Sequence, residues 1–281
     1  MKHSIPTPKT KKAIKASLAA LGYKFTTLLA APLGNPKIAK SLKKAGVVTF
    51  PMHLAPHTLS GFNTCASATE ACIGPCLDKA GNPAAGDAKR AARIARTQAF
   101  FRARALFLAL LKIEIDAAIK YAARKNMDCA FRLNATSDIR WEAVRFSCGT
   151  TVADYIAGKG ATPYDYTKHI NRKAPAHYNL TFSYLGNDDH AAIAIERGQN
   201  IAVVFDTPRG KPLPASLTIA GKRLAIHDAD EHDARFLDPR GVVCGLRFKY
   251  DTTRGALPRR DQLAAGIASG FVISEKEDLV Q

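Results

Sequence analysis

The sequence predicts an α/β fold, a parallel-strand partial barrel of TIM-like kind preceded by a basic N-terminal arm. Three observations lead there. Apolar or β-branched runs alternate with helical stretches, which is the pattern of parallel strands joined by crossovers. The chain has 281 residues and a hydrophobic fraction of 47%, enough to fill a real core. No segment approaches the roughly 20 uninterrupted apolar residues that span a bilayer.

Residues 1–45 form the expected arm. Lys9 to Leu21 is a short basic amphipathic stretch, and Thr26 to Lys40 is interrupted by Pro32, Gly34 and Pro36. The arm is expected to pack on, or be tethered to, a main domain covering 46–281. Met1 to Lys12 is polar and lysine-rich without an apolar signal core, so the expected location is cytoplasmic.

Val47 to Leu54 is the first expected strand, and Pro56, Ser60 and Gly61 announce a loop after it. Asp87 to Lys125 is expected as one long helix, rich in Ala, Arg, Leu and Lys, with no internal Pro or Gly and with Asp87 as its cap. Its basic residues, Lys89, Arg90, Arg93, Arg96, Arg102 and Arg104, are expected on a solvated face. Further strands are expected at Asp128 to Leu133, Tyr178 to Tyr184, Asn200 to Asp206, Arg223 to His227 and Gly241 to Arg247. Helices are expected at Trp141 to Ala157 and Asp188 to Arg197, and Thr207 to Pro214 is expected as a loop.

The loop after the first strand holds Cys65, six residues, Cys72, three residues and Cys76. Ala66, Ser67, Ala68, Gly74 and Pro75 let the backbone wrap so that three sulfurs can meet. Clustered cysteines in a reducing compartment point to metal ligation more than to disulfides. Soft thiolates suit iron–sulfur clusters, zinc or copper(I), and a closed zinc site needs a fourth ligand, for which His53 and His57 are the nearby donors. A cubane held by three cysteines instead leaves one iron open to a substrate or cofactor. A [4Fe-4S] cluster is the preferred reading, ahead of zinc and of unligated thiols. Cys129, Cys148 and Cys244 are expected as small buried hydrophobes.

Polar groups at the carboxyl end of a barrel strand line the site, so Arg132, Asn134, Ser137 and Asp138 are candidate catalytic residues, with helix capping as the competing role for Ser137 or Asp138. Lys168 joins them from Tyr164-Asp165-Tyr166-Thr167-Lys168-His169, which reads either as a strand or as aromatic faces for a nucleobase. Ser183, Tyr184, Asn187 and Asp188 form another candidate rim. His227 to Asp233 offers imidazole and carboxylate donors, although pairing with Arg235 or Arg240 is the preferred role.

The formal net charge of +17 attracts polyanions, so an anionic small molecule or a nucleic acid is the expected partner, with an electron donor if the protein is redox-active. No Walker loop, GxGxxG, HExxH or GxSxG occurs, which excludes the motif-bearing classes of nucleotide hydrolase, dinucleotide-binding enzyme, zincin and serine hydrolase. The alternatives kept beside a redox enzyme are a nucleic-acid-binding protein stapled by zinc and an electron-transfer or cluster-carrier protein.

A cysteine triad after the first strand, followed by alternating helices and strands, resembles the radical S-adenosylmethionine superfamily. The spacing here is six then three intervening residues, where that superfamily has three then two. The resemblance implies a [4Fe-4S] cluster on Cys65, Cys72 and Cys76, whose fourth iron meets S-adenosylmethionine before hydrogen abstraction from a substrate. Gly34-Asn35-Pro36-Lys37, His57-Thr58-Leu59-Ser60-Gly61, Arg132-Leu133-Asn134, Tyr166-Thr167-Lys168 and Asp233-Ala234-Arg235-Phe236 are similar to phrases of a bacteriophage protein family with cysteine-rich loops. That likeness implies a protein of the host cytoplasm.

Overall fold

A computed structural model describes residues 8–32, 36–78, 86–253 and 255–274. Met1 to Thr7, and Gly34 with Asn35, lie outside the described residues. A nine-stranded sheet organises the chain. It comprises β1 (Val47–Pro51), β2 (Asp128–Arg132), β3 (Thr162–Thr167), β4 (Asn179–Ser183), β5 (Ile201–Phe205), β6 (Ser216–Ile219), β7 (Lys222–Asp228), β8 (Val243–Arg247) and β9 (Val272–Ile273).

The spatial order is β1-β2-β3-β4-β5-β8-β7-β6, with β9 also on β5. Every pairing is parallel except the β6–β7 hairpin. That hairpin turns through Ala220 and Gly221, both at positive φ (52° and 71°), the conformation a two-residue connection needs to match strand twist. The path ends at β1 and β6, which are not hydrogen-bonded to each other, so the sheet is open. The expected TIM-like barrel is not formed as a closed structure, and what stands is a mixed α/β fold on a mostly parallel sheet.

Strand alternation separates two faces. On one, Val48 and Phe50 of β1, Cys129 and Phe131 of β2 and Leu180 of β4 enter the main apolar cluster. On the other, Val47, Ala130 and Tyr164 meet Phe236, and Ala202 with Cys244 meet Tyr166.

The long helix expected over 87–125 is two, α4 (Asp87–Arg102) and α5 (Arg104–Arg124), with a break at Ala103 (φ −125°, ψ 44°); the four-residue α3 (Glu70–Ile73) lies upstream, in the cysteine loop. No Pro or Gly causes that break. It lets the two halves satisfy different partners: Phe107, Leu111, Ile115, Ala118 and Ala122 bury one stripe of α5 in the core, while α4 reaches the cysteine loop. There Phe101 stacks on Phe62 at 4.5 Å, Gln98 donates to the Ser60 carbonyl and the Ala55 amide donates to Thr97 Oγ1.

The N-terminal residues pack closely on this body. In α1 (Lys11–Ala20), Ile14 and Leu18 are buried in the main cluster. Glu114 of α5, itself buried, accepts the Leu28 and Leu29 amides at 2.9 Å each and pairs with Lys11 at 3.0 Å. A buried carboxylate held by two amides on one oxygen and an ion pair on the other is not an isolated charge. The second helix, α2 (Pro36–Ala45), packs on β1.

Trp141 to Ala157 is helical only at its end, in α6 (Val152–Gly158), which Thr151 caps by accepting the Asp154 amide. Upstream of it the chain makes turns, and Trp141 is buried. The expected helix over Asp188 to Arg197 is α7 (Asp188–Glu196), and α8 (Arg259–Ala268) precedes β9. Cys129 and Cys244 are buried as expected, whereas Cys148 is exposed in a turn.

Candidate functional site

In a parallel sheet the loops leaving the carboxyl ends of the strands share one edge, where open α/β folds bind ligands. Here that edge collects the cysteine loop after β1, residues 133–139 after β2, Lys168 and His169 after β3, and Tyr184 after β4.

The cysteine loop is pinned to its neighbour by a ladder of bonds. Thr136 Oγ1 donates to the Leu54 carbonyl (2.6 Å), Thr64 Oγ1 to the Ala55 carbonyl (2.7 Å) and the Asp138 amide to the Thr64 carbonyl (2.8 Å). His57, at positive φ (49°), turns the chain so that its amide faces Cys65 Sγ at 3.4 Å. Asn63 Oδ1 accepts the Cys65 amide.

The three thiols are partly buried and share one electrostatic neighbourhood. Burial pushes each thiol above its ordinary value, Cys76 to about 11, and each is raised further by at least one neighbouring acidic group. Cys65 and Cys72 both act on Cys76, and all three thiols act on Lys168, whose own pKa is lowered by burial. They do not, however, all come within the 4.8 Å of one another that ligands of a single ion require.

The candidate residues fall into two groups. Asn134, Ser137 and Asp138 are committed to the scaffold. Asn134 Oδ1 accepts from Ser137 Oγ, the Ile139 amide and Trp141 Nε1, while its Nδ2 donates to Asp165 and to the Ile139 carbonyl. Asp138 accepts from Thr167 Oγ1, the Lys168 amide and Arg172 Nη1, and Arg172 is also held by Glu142. Neither Ser137 nor Asp138 caps a helix, since turns follow them.

Arg132 and Lys168 form the second group. Lys168 Nζ donates to Ser183 Oγ at 2.7 Å, and its charge is influenced electrostatically by the thiols. Arg132 pairs through Nη1 with Asp233 (2.9 and 3.0 Å) and lies over the Tyr166 ring at 4.7 Å, while its buried Nε has no hydrogen-bond partner among the described residues. Asp233 also accepts from the Tyr164 hydroxyl.

His53 lies among cationic groups that its local sequence does not reveal. Burial, then Arg93, Arg132 and Arg96, push its imidazole down to about 3, so it is neutral. Arg93 pairs with Asp78, and Arg96 donates to the Thr27 and His53 carbonyls. These two arginines are therefore turned inward from α4, whereas Lys89, Arg90, Arg102 and Arg104 are exposed as expected. The signal available was their i, i+3 spacing on the helix directly after the cysteine loop.

Tyr164 and Tyr166 belong to β3, as the strand reading expects, and not to a nucleobase platform. Tyr164 is wholly buried, with its hydroxyl on Thr49 and Asp233, and leaves no free face for stacking. At the proposed further rim, Asn187 caps α7 and Asp188 accepts from the Tyr184 hydroxyl.

The fold and edge define a class: an open, mostly parallel α/β protein with a cationic carboxyl edge and three thiols in the loop after its first strand. A family model described as gene product 88 matches residues 25–273, and the chain belongs to the gene product 88 family. This accords with the phage-protein likeness of its motifs. No curated protein and no solved structure matches the chain, so the radical S-adenosylmethionine likeness gains no support from relatives. No described helix is long and apolar enough to cross a membrane.

Proposed function

We propose that the chain is an iron–sulfur protein in which Cys65, Cys72 and Cys76 hold a [4Fe-4S] cluster at the carboxyl edge of the sheet, leaving one iron open for redox or radical chemistry. One observation supports the reading: all three thiols influence the Lys168 ammonium electrostatically, at the edge where parallel sheets bind ligands.

The three sulfurs lack single-ion spacing, which counts against one zinc held by the triad alone; a cubane would put each thiolate on a separate iron. The cationic surroundings support an anionic thiolate cluster as well. Lys168 interacts electrostatically with the thiols, and the charges of Arg93, Arg132 and Arg96 act on His53. With the thiols raised above neutrality, loading must expel protons, so ligation strengthens as pH rises.

The finer part of the proposal is a radical-type enzyme that uses S-adenosylmethionine. It rests on the sequential parallel order of β1 to β5, which winds in one direction as a partial barrel wall does, and on a triad in the loop after β1. The cluster would supply one-electron chemistry, and Arg132 and Lys168 would bind and orient an anionic substrate.

Reconstitution with iron and sulfide without oxygen tests the reading. The expected result is about four irons per chain with broad absorbance near ~400 nm, both lost in a Cys65→Ala/Cys72→Ala/Cys76→Ala variant. A colourless chain holding one zinc, or iron retained by the triple variant, would sink the proposal. Release of 5′-deoxyadenosine from S-adenosylmethionine by the reduced protein separates the radical reading from a plain redox or carrier role.

A further inference from the structure

We propose a second metal site, for zinc or another first-row divalent ion, formed by His227, His232 and Asp238 at the β7–β8 side of the sheet. It is independent of the cysteine reading, because its residues come from the opposite half of the strand order and include no thiol ligand.

Each ligand arrives on a different piece of chain. His227 lies on β7 opposite Cys244 of β8, His232 on the connection that follows, and Asp238 just after the 3-10 turn Arg235–Leu237. Their donor atoms all lie within 4.8 Å of one another. Asp238 Oδ1 is 3.4 Å from His227 Nε2 and 3.8 Å from His232 Nε2. A tetrahedral ion with bonds of about 2.1 Å sets its ligands about 3.4 Å apart, so these separations are those of a shared ion.

A second observation points the same way. Asp238 has no side-chain exposure, yet its Oδ1 makes no hydrogen bond, and neither does the buried Nε2 of His227 beside it. The two atoms lie 3.4 Å apart as a possible ion pair without a hydrogen bond between them, so each keeps bonding capacity that a shared cation would use.

The surroundings hold the ligands in place. The other carboxylate oxygen of Asp238 pairs with Arg235 Nη1 at 3.0 Å and accepts from Cys244 Sγ at 3.3 Å, which leaves Oδ1 to bind alone. Arg235 also donates to the His232 carbonyl and touches its Nδ1 at 3.3 Å. Ligation through Nε2 moves the ring proton to Nδ1, so metal binding gives up that contact and keeps the carbonyl bond. Side-chain exposure of 27% at His227 and 12% at His232, against none at Asp238, gives an ion its entry from the histidine side. Two imidazoles and one carboxylate suit zinc and its neighbours rather than calcium or magnesium.

The test uses the full chain carrying Cys65→Ala/Cys72→Ala/Cys76→Ala, so that the triad cannot contribute. Titration with Zn²⁺ alone is expected to show one equivalent bound and, at metal a hundredfold above Kd, a Tm rise on the order of 5 °C. Co²⁺ is expected to give weak ligand-field bands without thiolate charge transfer. Adding His227→Ala, at a partly exposed ring, is expected to weaken binding by more than about a hundredfold while leaving the metal-free Tm close to that of its parent. His232→Gln serves as a second ligand variant should the first disturb β7. No uptake by the triple-cysteine variant, or uptake unchanged by both histidine substitutions, would overturn the proposal: the cluster would then be a His–Asp–Arg ion-pair network.

Discussion

Two loops leave adjacent strands at the same edge of the sheet and are built by opposite rules. After β2, Asn134 uses both ends of its amide, Asp138 takes three donors, and Arg172 bridges Asp138 and Glu142. After β1, the backbone is fixed by Thr64 and Thr136, but the three thiols are held mainly by burial, and Cys72 Sγ makes no hydrogen bond among the described residues. The first loop spends its polar groups on shape. The second is fixed by the Thr64 and Thr136 hydroxyls on its carbonyls and commits its thiols to few hydrogen bonds, which suits a ligand site.

The contrast is broken most forcefully at Asn134. Asn134→Ala strands Trp141 Nε1, the Ile139 amide, Ser137 Oγ and one side of Asp165 in the interior. Each buried orphan costs about 1–3 kcal/mol, partly relieved by relaxation, so a loss of about 4 kcal/mol is expected in urea denaturation. Cys72→Ala, in the other loop, is expected to change stability by less than about 1 kcal/mol. Equal losses at the two positions would show that the thiol loop is itself a stability element.

Asp165 sharpens the comparison through pH. It sits beneath the Asn134 knot, wholly buried, and accepts from Tyr178 Oη (2.6 Å), the Asn134 amide and Asn134 Nδ2. Burial raises its carboxyl to about 7, against the lowering effects of those donors and of Arg172. The folded state therefore holds this proton more tightly than the unfolded chain does. Its contribution is full below the unfolded value near 3.8 and declines as pH rises toward 7, by an amount on the order of 4 kcal/mol. Asp165→Asn is expected to flatten stability measured between about pH 4 and 7; an unchanged slope would assign that dependence to other groups.

How much of this was legible follows from what each element depends on. Strands β1, β2, β4, β5, β7 and β8 carry β-branched or apolar runs between turn residues, so local composition reveals them. The tyrosines at i and i+2 mark β3 as a strand, whereas β6 and β9 are short, so their existence depends on neighbours that local pattern does not contain. The break at Ala103 has no local breaker and reflects two packing partners pulling α4 and α5 apart. The overextended helix before α6 fails because Asn134, several residues upstream, captures Ile139 and Trp141. At the site, the thiols, Arg132 and Lys168 were visible as residue types after strands. The commitment of Asn134 and Asp138 to scaffold bonds was hidden, because it depends on Asp165 and Arg172, some 30 residues away. So was the inward turn of Arg93 and Arg96.

The smallest effect expected is a rate, and it tests how free the thiols of the β1 loop are. Cys148 is exposed, and hydrogen bonds from Thr150 lower its pKa, so it is more thiolate at neutral pH than its unperturbed value implies. Cys65, Cys72 and Cys76 are shifted upward by burial and remain protonated there. Iodoacetamide followed by peptide mass mapping is therefore expected to label Cys148 first. The three loop thiols follow with rates that climb about tenfold per pH unit through the neutral range, since the reactive thiolate fraction grows by that factor below the pKa. Buried Cys129 and Cys244, both pushed to about 12, are expected to label only on unfolding. Metal loading is then expected to slow the loop thiols and leave Cys148 unaffected, because ligation consumes the thiolates that alkylation needs. Slowing at Cys148 instead would place the metal outside the β1 loop and remove the distinction between the two loops.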